Sequence, residues 1–83
     1  MIELKQVSQD HEDTFIVYKD GTRKGIVQLK FNGKSCHWNY QSEKMYELPL
    51  EWDKALEALK FILNADQLEV LRLKGQQWPL KKY

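Results

Sequence analysis

Eighty-three residues, 30% of them charged and 42% apolar, with a net charge of +1, make a chain too hydrophobic and too nearly neutral to be intrinsically disordered. They also leave little core for a deep, enclosed active site. No apolar run approaches the ~20 residues of a membrane span, Met1-Ile2-Glu3 does not open a secretory signal, and the lone Cys36 excludes an internal disulfide. The expectation is one α+β domain over residues 1–83, cytoplasmic and without membrane contact.

Ile2 and Leu4, extended by Val7, suggest a first strand, and Asp10-His11-Glu12-Asp13 reads as a polar connection. Thr14 to Lys19 reads as a second strand. Asp20-Gly21 and Asn32-Gly33 both accept positive φ, so each marks a hairpin turn, and together they predict a three-stranded antiparallel meander. If Asn32-Gly33 is a two-residue loop, Phe31 faces Lys34, Leu29 faces Cys36 and Val27 faces Trp38. One face then carries Val27, Leu29, Phe31, Cys36, Trp38 and Tyr40, and the other Ile26, Gln28, Lys30, Ser35, His37 and Asn39. Turn chemistry and side-chain alternation agree on this partition. The Asp20-Gly21 turn leaves open whether Phe15 and Val17 or Ile16 and Tyr18 point to the apolar face.

Leu48-Pro49-Leu50 leads into an amphipathic helix, with Pro49 suited to its first turn. Trp52, Ala55, Leu56, Leu59, Ile62 and Leu63 stripe one side; Asp53, Lys54, Glu57 and Lys60 occupy the other, and Asn64 reads as the stop. The stripe is expected to lie on the apolar face of the meander, since neither surface is stable in water alone. Residues 67–75 read as a strand through Leu68, Val70, Leu71 and Leu73. The alternative is a short helix capped by Asp66 and Glu69. Residues 76–83 read as an irregular tail. The predicted fold is therefore α+β: a small antiparallel meander of three to four strands, one helix on one face, and a C-terminal strand or short helix.

The residues supply little for catalysis. Cys36 and His37, adjacent on a strand, point to opposite faces and do not share an ion. Cys36 reads as a small buried hydrophobe, and no nucleophile elbow or phosphate-binding glycine spacing occurs. The expectation is a non-enzymatic protein without metal or cofactor.

Charge is distributed more informatively. Between Lys19 and Lys34, five bases (Lys19, Arg23, Lys24, Lys30, Lys34) face the single acid Asp20, and Arg72 to Tyr83 carries four bases and no acid. The compensating acids lie in residues 1–18 and 43–57. A basic hairpin with a basic tail points to nucleic acid: Lys19, Arg23, Lys24, Lys30 and Lys34 contact phosphates, Lys81 and Lys82 extend the patch, and Trp78 or Tyr83 stacks on bases.

A meander followed by a helix over Leu48–Leu63, with Trp52 in its first turn, resembles the single-stranded-DNA-binding transcription coactivators of the positive cofactor four type. The resemblance covers about Gly25 to Leu63 and rests on the order of elements. Leu48-Pro49-Leu50-Glu51-Trp52 is one residue shorter than that group's leucine-to-tryptophan spacing, and no binding residue is carried over. The competing reading is a protein-interaction module or homodimeric accessory protein, in which Gln76-Gln77-Trp78-Pro79-Leu80 is either an anchor for a partner or a latch over the chain's own sheet.

Overall fold

A computed structural model describes residues 1–7, 13–33 and 35–71. Six strands and one helix follow in order: β1 (Ile2–Gln6), β2 (Thr14–Lys19), β3 (Thr22–Asn32), β4 (Ser35–Gln41), β5 (Met45–Leu48), α1 (Trp52–Leu63) and β6 (Leu68–Leu71). They form a single sheet in the order β5-β4-β3-β2-β1-β6. The α+β class holds, but the expected three to four antiparallel strands are corrected on two counts: the sheet has six strands, and β6 joins β1 in parallel.

The extra strand is β5. Its Met45-Tyr46-Glu47-Leu48 alternates apolar and polar side chains weakly, and Leu48, which the sequence assigns to the helix approach, is buried in the sheet instead. Pro49 accordingly precedes the helix, whose N-cap is Glu51. The parallel pairing follows from direction. Four antiparallel steps leave β5 running the same way as β1, so a helix that returns the chain makes the next strand parallel to both. Twelve helical residues span about 18 Å, and five strand spacings about 24 Å. With its short flanking loops the helix therefore carries the chain from the β5 edge to the free edge of β1.

The first hairpin is closed by Asp20 and Gly21, both at positive φ (50° and 84°), and pairs Lys19 with Thr22. Continued without interruption, that register would set Phe15 beside Ile26 and place Val27 on the opposite face. A bulge prevents this: Tyr18 pairs with Arg23 but Val17 with Gly25, so Lys24 is the extra residue and Phe15 lands opposite Val27. Phe15 and Val17 thereby join the apolar face. Gly25 makes the bulge possible, since its φ is +144° and a Cβ there would lie 2.2 Å from the Gln41 carbonyl oxygen.

In the second hairpin Leu29 faces Trp38 and Val27 faces Tyr40, each partner two residues further on than an Asn32-Gly33 loop would give. The displacement is even, so every side chain keeps its expected face. Phe31 shares the apolar face by register but lies at the hairpin end and is 70% exposed.

Ile2, Leu4, Phe15, Val17, Val27, Leu29, Trp38, Tyr40 and Leu48 form the covered face, closed by Ala55 and Leu59 of α1. At its centre the Trp38 and Trp52 rings lie 4.4 Å apart, and Phe15 is 5.3 Å from Trp52 and 6.4 Å from Trp38. Such tilted aromatic pairs add about 0.5–1.5 kcal/mol each beyond their burial. The helix ends where the sequence places its stop: Asn64 takes a left-handed conformation (φ 52°) and its N–H caps the last turn. No helix is long and apolar enough to cross a membrane among the described residues.

Candidate nucleic-acid interface

The basic residues of the β2–β3 hairpin do not share one surface. Lys19 lies on the covered face, half-buried, and its Nζ donates to the Leu63 carbonyl at 2.6 Å. That hydrogen bond places a cation at the C-terminal end of α1, where the helix dipole favours one. Arg23, paired with Tyr18, and Lys30, paired with His37, project from the open face and are exposed. Seven residues apart along β3, they are separated by about 23 Å. Lys24 stands exposed on the bulge between the faces. Lys34, Trp78, Lys81, Lys82 and Tyr83 lie outside the described residues.

Arg23 and Lys24 are brought together with Lys44, a cation from the acidic stretch 43–57 that does not belong to the basic patch of the sequence. Gln41 pairs with Met45, so Ser42, Glu43 and Lys44 form the β4–β5 loop, tied by the Ser42 N–H donating to the Lys44 carbonyl at 2.9 Å. This loop stands beside the bulge because Ile26 pairs with Gln41. Between them opens a groove of about 750 Å³, lined by Arg23, Lys24, Lys44, Gln41 and Tyr46, with Glu43 its one carboxylate. In the sequence Lys44 lies in the acidic stretch 43–57, where the carboxylates outweigh it, so it does not read as part of the basic patch. The sequence signal for its position is the weak alternation of Met45 to Leu48, which marks a strand and therefore a turn before it.

The groove's framework is firmly set. Tyr40, buried, stacks on Tyr46 with centroids 5.7 Å apart and planes 18° from parallel. Its hydroxyl donates to the Lys24 carbonyl at 2.7 Å and fixes the bulge backbone. Burial pushes the Tyr40 phenol above its ordinary pKa, and the neighbouring Tyr46 adds to this against an opposing hydrogen bond with Ser42. At the β2–β3 turn, the Met1 amino group lies 2.9 Å from Asp20 Oδ1 and holds that carboxyl below its usual range.

Chemically, three exposed cations around an open groove with an aromatic side chain suit a polyanion held by charge and surface contact. Arg23 adds a planar fork that fits phosphate oxygens in pairs. No group of three or more His, Cys, Asp or Glu side chains among the described residues is placed to hold a metal ion. The chain matches no known family, no curated protein and no solved structure. The resemblance to the positive cofactor four type thus rests on a meander followed by a helix and gains no further support.

Proposed function

We propose that the protein is a small non-enzymatic binding protein whose ligand is nucleic acid, held by its phosphate backbone across the groove between the β2–β3 bulge and the β4–β5 loop. The observation that carries this reading is that Arg23, Lys24 and Lys44 line one groove together with Tyr46. Lys30 stands apart on β3 and extends contact only for a ligand long enough to cross the open face. Lys19 is engaged with α1 and contributes to the fold. Binding of this kind is independent of base sequence and falls as salt rises.

The test is a titration of ¹⁵N-labelled protein with single-stranded DNA, duplex DNA and RNA at about 150 mM salt, where weak surface attraction is already screened. Amide shifts at Arg23, Lys24 and Gln41 to Lys44 that fade at higher salt are expected. Replacing Arg23 or Lys44 by alanine should weaken binding equally for all sequences and lower the salt slope by about one. Unmoved spectra with all three nucleic acids would remove the reading.

One observation favours a second reading, a protein-interaction or self-associating module. β5 is a four-residue strand at the edge of the sheet, with Met45 64% exposed. An unpaired edge invites another strand, and for such a module nucleic-acid affinity is absent while mass in solution rises with concentration or with an added partner.

A further inference from the structure

On the sheet face turned away from α1, hydrogen-bond acceptors gather beside the groove's cations. One row crosses the four strands nearest the β5 edge: Glu47 pairs with Asn39, Asn39 with Gln28, and Gln28 with Thr14. Asn39 is only 9% exposed, and its Oδ1 is shielded from solvent without a hydrogen-bond partner. A buried acceptor in that state destabilises the fold until a donor reaches it. Gln28 donates through Nε2 to Thr14 Oγ1 at 3.4 Å, which leaves its carbonyl oxygen to accept. Glu47 adds a carboxylate, 77% exposed and 3.9 Å from His37 Nδ1. As the mostly exposed cross-strand neighbour of Asn39, it is the side chain whose rotation uncovers the amide.

This row is continuous with the groove. Gln28 and Gln41 line it, and Gln41 lies two residues beyond Asn39 on β4, about 7 Å away. On the other side Lys30, paired with His37, is two residues from Gln28. The acceptors therefore lie between two sets of cations. A guanidinium or ammonium ligand would suit the acceptors but be repelled by Arg23, Lys24, Lys44 and Lys30. A bare phosphate would suit the cations and offer the acceptors nothing. An unpaired nucleotide brings both, an anionic phosphate and N–H donors on its base edge. We propose that the row is a base-reading subsite for single-stranded nucleic acid, selecting cytosine or adenine over uracil or thymine. It rests on the nucleic-acid reading: the phosphate contacts are indifferent to sequence, and preference enters where the exocyclic amino group donates to Asn39 Oδ1, with Glu47 and Gln28 as further acceptors. Uracil and thymine carry a carbonyl at that ring position and would set acceptor against acceptor. The strand must be single because a six-stranded face, about 24 Å across, is too broad for the ~12 Å major groove of a duplex.

The experiment compares the affinities of the full chain for oligo-dC and oligo-dU of equal length by fluorescence anisotropy. Oligo-dC is expected to bind about tenfold tighter. Asn39→Leu removes the unpaired acceptor, so it should bring that ratio close to one, keep the oligo-dU affinity and the salt slope, and leave the melting temperature of the free protein unchanged or raised. Lys44→Ala should instead weaken both ligands alike and preserve the ratio. Equal affinities for the two oligomers on the unmodified chain, still falling with salt, would overturn the subsite and leave the groove reading standing. A preference for oligo-dC that survives in Asn39→Leu would also overturn it. Absence of affinity for either oligomer would remove the subsite and the groove reading together.

Discussion

The two faces of the sheet are cut from the same strands, often from adjacent residues, yet they are organised by different forces. On the face beneath α1, Phe15, Val17, Val27, Trp38 and Tyr40 are each at most 2% exposed, and the helix contributes Ala55, Leu59 and the Trp52 ring. On the other face, Ile16, Ile26, Gln28 and Glu3 are only partly buried among the exposed Lys5, Lys30 and Glu69, and Lys5 stacks over Tyr18 at 4.9 Å. The lesson is that strand alternation assigns a side chain to a face, but a covering element decides how much that assignment stabilises the fold.

Neighbouring residues make the sharpest test. Phe15→Ala should cost about 3–5 kcal/mol, because it opens a cavity in the aromatic cluster. In a domain of this size that is much of the ~5–15 kcal/mol total. Ile16→Ala, one residue on and facing the other way, should cost about 1 kcal/mol. Denaturant unfolding followed by circular dichroism measures both, and equal losses would mean that the two faces are equally packed.

The bulge that reconciles the faces comes next. Gly25→Ala should lose about 1–3 kcal/mol, since the residue occupies positive φ and its new Cβ meets the Gln41 carbonyl. Amide shifts should concentrate at Val17, Tyr18, Tyr40 and Gln41. A variant of unchanged stability would show that β3 crosses β2 without needing the bulge.

A smaller effect separates Lys19 from the other hairpin bases. Lys19→Met keeps the aliphatic stem but removes the donor to Leu63, and should cost about 1 kcal/mol. The same change at exposed Lys30 should be nearly neutral for stability. Reversal of that order would place Lys19 among the free surface charges.

The smallest effect is a pH dependence. Because burial raises the Tyr40 phenol in the fold, the unfolded chain ionises first as pH rises. Stability from this group is therefore complete below the ordinary tyrosine value near 10 and is lost as pH climbs through the higher folded value. Tyr40→Phe should remove that alkaline sensitivity, along with the hydrogen bond to Lys24, as thermal melts between pH 8 and pH 11, roughly the span in which tyrosine titrates, would record.

Much of this architecture is readable before any coordinates. Two Gly-containing turns, the alternation of β3 and β4 and the spacing from Trp52 to Leu63 define the meander, its two faces and the helix, and Asn64 marks where the helix stops. These are local properties, fixed by backbone sterics and by a period of two or 3.6 residues within one stretch of chain. The choice of Phe15 and Val17 for the core, the seating of β6 beside β1, the use of Lys19 as a helix cap and the meeting of Lys44 with Arg23 and Lys24 are not local. Each depends on where a distant strand lies. A single extra residue at Lys24 reverses which side chains of β2 face the core, and a helix crossing the whole sheet sends the last strand to the β1 edge, far from the β5 edge it left. The tertiary structure decides these points because burial rewards a continuous apolar face whatever the sequence separation of its parts, and a bulge or a crossover is the small local cost of completing that face.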